Sequence, residues 1–353
     1  MFTGVRGTPG VPLSVMHAVR FRELLESSGP FVSVYYEESV GLGNGAGAIQ
    51  LDHRWQGLRE RLERLGADKS MTDAIKRAVL RWNRPAIRRG GRAVVVGPEG
   101  VLFNEVLLRP TDSTVVRVSE LPYIVPILAH GLENPNYLLA MVDATGADIS
   151  AYLGGELHSE SVDGALGRVA ARLTKLLDET LAGTTFVAGT TEARANLMAA
   201  LPTSVCGQVV SLPICAPRGE YDFDELKWAA EAWFLDRQLS AVDDAVVRFD
   251  AEAGRRSGRA VQGLGAVCSA LRQGTIDTLI VGDIGDAVVV ADEGMTTVAP
   301  RGDDRELGSG RVMRADEALP LFAISAGASL VRTDERIAPT DGIAAVLRHT
   351  PSS

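Results

Sequence analysis

AVQGLGAVCSALRQGTIDTLIVGD, residues 260–283, sets a helix directly against a buried strand. Val261, Leu264, Val267 and Leu271 recur at helical spacing, and Gly274 supplies the stop. Ile276–Val281 then runs apolar and rich in β-branched residues, as a strand covered on both faces does, with Asp283 just beyond its end. Upstream, a long helix is predicted with Phe223, Leu226, Ala230 and Trp233, then Leu239, Val242, Val246 and Phe249, on its apolar stripe. Downstream, a further helix and strand are expected at roughly Pro320–Arg332. Helices alternating with short apolar strands predict an α/β/α sandwich for this last block.

The middle of the chain repeats the alternation. Strands are expected at Tyr137–Asp143, Ala147–Leu153 and Glu156–Val162, followed by a helix over Leu166–Glu179. Strand Thr185–Ala188, a helix near Glu192–Ala200 and strand Gln208–Leu212 complete an α/β unit, and Ala216-Pro217-Arg218-Gly219 reads as a linker. Only Gly154-Gly155 separates two alternating runs, the signature of a tight hairpin. Asp143 and Asp148 flank the preceding turn and fit turn chemistry.

The first block opens with a helix (about 17–28) and a strand (31–36). In the next helix Trp55, Leu58, Leu62 and Leu65 form the apolar stripe; in the one after, Met71, Ile75, Ala78, Val79 and Trp82 do so, and Pro85 ends the run. Strands follow at Ala93–Val96, Val101–Leu108 and Val115–Val118. The fold class expected is therefore α/β, as three domains of mixed sheet and helix: a disordered lead-in over 1–15, then 16–134, 135–219 and 220–353.

The 353 residues are 46% hydrophobic, 23% charged and 5% aromatic, with a net charge of −9, which argues against a protein that coats nucleic acid non-specifically. The charge is uneven. Residues 54–92 hold twelve Lys or Arg against four Asp or Glu, whereas residues 219–253 hold ten acids against three bases. Arg54, Arg59, Arg61, Arg64, Arg77, Arg81, Arg84, Arg88 and Arg89 are the candidate RNA-binding residues, because guanidinium forks fit phosphate oxygens. A solvated, solubilising face is the competing reading. The acidic helix is a candidate protein-facing surface.

Other chemistry finds little support. Three cysteines, Cys206, Cys215 and Cys268, are too few and scattered for a disulfide framework or a zinc knuckle. His17, His53, His130, His158 and His349 lack metal-ligand spacing, so no metal and no cofactor is expected. Gly43-Asn44-Gly45-Ala46-Gly47-Ala48 matches a dinucleotide fingerprint in form, but two helices follow where a second parallel strand is required; a glycine-rich loop is the better reading. No apolar run is long enough for a membrane span, the opening residues read as a lead-in and not a signal peptide, and a cytoplasmic protein is expected.

LLAMVDATGADISAYL (138–153), with the strand and helix after it, resembles the central domain of archaeo-eukaryotic release factors and Pelota. Residues 260–283 resemble their C-terminal domain, which is similar to RNA-binding ribosomal proteins. GRAVVVGPEGVLFNEVLL (91–108) and PYIVPIL (122–128) are similar to the bacterial branch, which includes Balon-type ribosome hibernation factors. The resemblance implies a factor of the ribosomal A site: the first block toward the decoding centre, the middle toward the peptidyl-transferase centre, and the last meeting a translational GTPase, elongation factor Tu in the Balon case. Release factors carry their catalytic Gly-Gly-Gln loop between a strand and the following helix. Here Asp163-Gly164-Ala165 passes straight into Leu166, and Gly154-Gly155-Glu156 reads as a turn. The expectation is thus a non-catalytic factor that binds 70S ribosomes and silences translation under stress, with peptidyl-tRNA hydrolysis or tRNA cleavage in ribosome rescue as the alternative.

Overall fold

A computed structural model describes residues 13–38, 46–80, 90–131, 136–153, 156–180, 182–292, 294, 296–302, 310–333 and 336–350. The chain is mixed α/β and divides into two compact units. Glu133–Arg237 form one; Leu13–Leu132 and Gln238–Ser353 together form the other.

The discontinuous unit starts with α1 (Leu13–Arg20) and α2 (Arg22–Glu26). Its first sheet has the order β3-β2-β1-β4, all antiparallel: β1 (Phe31–Glu38), β2 (Gly90–Gly97), β3 (Gly100–Leu107) and β4 (Val115–Ser119). Helices α3 (Ala46–Arg64) and α4 (Lys69–Leu80) bury Trp55, Leu58, Leu62, Met71, Ile75 and Val79 against Val32, Val34, Tyr36, Val94 and Val96. The opposite face presents Phe31, Tyr35, Ala93, Val95 and Phe103 to a second core. With both faces covered, β1 has no polar alternation over its first six residues. Leu65, placed on the α3 stripe by its spacing, lies one residue past the helix end and is exposed. Arg92 is wholly buried in β2; it donates to Asn104 Oδ1 and to the Ala78 carbonyl, and pairs with Glu38 at 3.5 Å. Helix α5 (Val125–His130) follows β4.

The contiguous unit carries β5 (Asn136–Asp143), β6 (Gly146–Leu153), β7 (Glu156–Asp163), α6 (Leu166–Thr180), β8 (Thr184–Gly189), α7 (Thr191–Ala200), α8 (Thr203–Cys206) and β9 (Val209–Ser211). The sheet order is β7-β6-β5-β8-β9, with β5, β8 and β9 parallel and β5, β6 and β7 an antiparallel meander. On one face Leu138, Ala140, Val142, Ile149 and Ala151 pack on α6 and α7 through Val169, Leu173 and Leu197. On the other, Tyr137 and Phe186 meet the rings of Trp233 and Phe234 at the start of α9 (Phe223–Arg255).

From Gln238 onward α9 belongs to the discontinuous unit. There β10 (Ala260–Gln262), α10 (Leu264–Arg272), β11 (Ile276–Val281), β12 (Val288–Ala291), β13 (Val298–Pro300), β14 (Arg311–Arg314), α11 (Ala315–Ser325), β15 (Ser329–Arg332) and β16 (Ile343–Leu347) build two sheets, β10-β16-β11-β15 and β13-β12-β14. Val242, Ala245 and Phe249 of α9 cover one face of the four-stranded sheet through Ile280, Val331, Ala344 and Val346. Leu279, Val281, Leu330 and Ala345 face the other way, into the core that holds residues of α10 and α11, which makes an α/β/α sandwich. Val261, expected in the helix, sits in β10, and α11 begins five residues before Pro320 and contains it. Leu239, expected on the buried stripe of α9, is exposed. Among the described residues no helix is long and apolar enough to cross a membrane.

Candidate RNA-binding face and the β7–α6 turn

The arginines of α3 and α4 emerge because the helices bury their other side. Arg59, Arg61, Arg64 and Arg77 are exposed, and Arg54 is half-buried with its guanidinium 5.1 Å from the Tyr36 ring centre. Three have protein partners: Arg59 pairs with Glu63 at 2.7 Å, Arg61 donates to the Thr114 carbonyl, and Arg64 donates to the Glu60 carbonyl at 3.3 Å. Arg77 makes no ion pair among the described residues; it shares the outer face of α4 with Asp73, Lys76 and Leu80. Arg81, Arg84, Arg88 and Arg89 lie outside the described residues, as do Trp82 and the glycines of 43–45. Arg92, which counts toward the basic balance of residues 54–92, points inward and contributes nothing to an outer surface.

In the contiguous unit the residues around the end of β7 form one polar cluster. The turn between β5 and β6 is organised by Asp143, whose Oδ1 accepts from the amides of Thr145 (2.7 Å) and Gly146 (3.1 Å) and from the Thr145 hydroxyl (2.7 Å). The bonds from Thr145, with the amide and charge of Arg218 behind them, hold the Asp143 carboxyl below the usual carboxylate range. Gly146 has φ 149°, and a Cβ there would strike the Val162 carbonyl, so the close approach of β6 to β7 needs glycine.

Only Gly164 and Ala165 separate β7 from α6. The Gly164 amide donates to the Thr145 carbonyl at 2.7 Å, which ties this turn to the neighbouring one. Arg218, from the expected linker, reaches across both. Its Nε and Nη2 contact Asp148 Oδ1 at 3.1 and 3.0 Å, and its Nη1 donates to Asp163 Oδ1 at 2.9 Å. Ser161 donates to the same Asp148 oxygen at 2.9 Å. The turn is therefore short, hydrogen-bonded and stapled by a guanidinium. The role of Arg218 was not readable from sequence: a Pro-Arg-Gly stretch signals a linker, and its acidic partners are 55 to 75 residues away.

Two other expectations concern single residues. The hairpin register pairs Leu153 with Glu156, leaving two residues between the strands; Gly154 and Gly155 themselves lie outside the described residues. Cys268 is fully buried on α10, and burial pushes its thiol up to about 12, far from a nucleophile's range. Among the described residues no group of three or more His, Cys, Asp or Glu could hold a metal ion.

The sequence pattern of bacterial archaeo-eukaryotic release factor family 2 matches residues 158–255. Protein Rv2629 of Mycobacterium tuberculosis is 37% identical over 370 residues, 96% of this chain and 98% of the relative. The chain belongs to the bacterial archaeo-eukaryotic release factors. Solved structures resemble the chain more distantly. Dom34 of S. cerevisiae, a translation termination-like factor, is 11% identical with a TM-score of 0.42, covering 75% of this chain and 80% of its own. Archaeal Pelota, from a ribosome-bound assembly with ABCE1, is 12% identical with a TM-score of 0.41, covering 97% and 96%. In this family member the β7–α6 connection is the two-residue turn described above.

Proposed function

We propose that the chain is a non-catalytic ribosome-binding factor that occupies the A site and silences translation, as hibernation under stress requires. The observation that carries this reading is the β7–α6 turn. A family built around entry into the A site is represented here by a chain whose strand-to-helix connection has no length to project, with Gly164 of the turn held by the Thr145 carbonyl and the preceding Asp163 held by Arg218. Without a projecting group to orient water at an ester, hydrolysis has no local chemistry to support it. In this reading the exposed Arg59, Arg61, Arg64 and Arg77, with Arg54, Arg81, Arg84, Arg88 and Arg89, contact ribosomal RNA from the decoding side. The last block meets a translational GTPase such as elongation factor Tu.

The test is co-sedimentation with 70S ribosomes across a salt series, comparing wild type with the triple variant Arg59→Glu, Arg64→Glu, Arg77→Glu. Wild type is expected to pellet with ribosomes and to be released by salt. Losing three phosphate contacts lowers the log–log salt slope by about 2–3. Wild-type chain that fails to pellet at any salt overturns the proposal, and single-turnover release of peptide from peptidyl-tRNA by the wild type replaces it with the rescue-enzyme reading.

A further inference from the structure

The first and last blocks share more than an apolar core. At one end of their seam two carboxylates, Asp316 and Glu317, occupy the first turn of α11, where the helix dipole favours acids but burial does not; Asp316 is 7% and Glu317 3% exposed. The last block compensates Asp316 but not Glu317: Arg314 binds Asp316 through Nε at 3.0 Å and Nη2 at 3.2 Å and turns its Nη1 to Asp286 at 2.9 Å. The rest comes from Arg117 of β4, an edge strand of the first sheet. Its Nη2 lies 2.8 Å from Asp316 Oδ2 and its Nη1 3.2 Å from Glu317 Oε1, while its guanidinium stacks 3.5 Å from the Tyr123 ring centre. Tyr123 is itself fixed, its amide donating to Ser33 Oγ at 3.1 Å and its carbonyl accepting from the Tyr35 hydroxyl. Elsewhere on the seam the Leu330 amide donates to His17 Nδ1 at 3.3 Å, and Gln238 Nε2 to the Leu128 carbonyl at 2.8 Å.

We propose that Arg117 is an electrostatic latch that makes the first and last blocks one mechanically coupled body. Arg117 completes the neutralisation that Arg314 begins: separating the blocks breaks its charge-assisted contacts to both acids, and removing Arg117 with the seam closed leaves Glu317 buried without an ion-pair partner among the described residues. Force or a ligand acting on α3 and α4 is then transmitted to α11 and β15 without a hinge between them. If the ribosome-binding reading holds, the RNA-facing helices and the surface offered by the last block are presented at fixed spacing.

Hydrogen exchange on the full chain tests the latch directly. Arg117→Met is expected to speed exchange about tenfold in β4 and in the first turn of α11 together, and to leave β5–β8 unchanged. Adding Asp316→Asn and Glu317→Gln removes the stranded charge and returns both segments to within about threefold of wild type. Exchange in Arg117→Met that stays within about twofold of wild type, or that rises in β4 alone, overturns the proposal. Should Arg117→Met fail to fold, the triple variant decides: protected segments support charge compensation, and unprotected ones overturn it. Failure of the wild type to bind 70S ribosomes sinks the functional reading while leaving the exchange result to judge the latch.

Discussion

His17 enters the fold as a neutral base. Burial, with the Arg20 charge beside it, lowers its pKa from 6.5 to about 4, and its Nδ1 accepts the Leu330 amide. The unfolded chain takes up a proton near pH 6.5 that the folded chain refuses until about pH 4. The contribution of neutral His17 is therefore complete above pH 6.5 and is lost as pH falls through that window, at most about 3 kcal/mol. Urea midpoints measured at pH 7 and pH 5 are expected to drop more steeply for wild type than for His17→Gln, which cannot titrate. An equal drop in both would assign the acid sensitivity to carboxylates instead.

At the scale of elements, the β7–α6 turn rests on one guanidinium. Arg218→Ala is expected to cost about 1–2 kcal/mol, since it removes charge-assisted bonds to Asp148 and Asp163 from a side chain only 14% exposed. Arg218→Lys should recover little of this, because one ammonium cannot span both acids. Local hydrogen exchange at Gly164 and at the start of α6 reads the change. Elements with strong periodicity were legible in advance: the β5-β6-β7 meander, the stripes of α3 and α4, and the α10–β11 pair. The three-stranded sheet was not, because strands of three or four residues such as Val288–Ala291 and Val298–Pro300 show too few repeats for a period of two to register. Helix α11 was read late because Pro320 normally marks a helix start, yet here it sits inside a fully apolar turn. Arg92 was invisible as an interior residue, since its burial depends on Glu38 and Asn104 arriving from the flanking strands. Among the candidate RNA-binding residues, exposure of Arg59, Arg61, Arg64 and Arg77 follows from the apolar stripe opposite them, whereas the ion pair that occupies Arg59 does not.

For the whole molecule, the shared core is the feature with the widest effect. Phe31, Tyr35, Val95 and Phe103 of the first block are covered by the same cluster that holds Val267, Leu279, Phe322 and Leu347 of the last. A chain ending after residue 258 keeps the contiguous unit but leaves that face of the first sheet uncovered. It is expected to bind a hydrophobic dye strongly and to lose the cooperative melting of the first block, with the β5–β8 amides still protected. A truncated chain that melts cooperatively and stays dark to the dye would mean the first block closes its own core.

The same connectivity sets an order of events during synthesis. The contiguous unit needs nothing beyond Arg237, so it has all its residues while a third of the chain is still to be made. The first block, although translated earlier, must wait for α11, β15 and β16, elements made well after it. Its aromatic face is thus exposed on the nascent chain for the whole of that interval, and chaperone occupancy of this protein should track the first block's wait and fall only when Leu347 emerges.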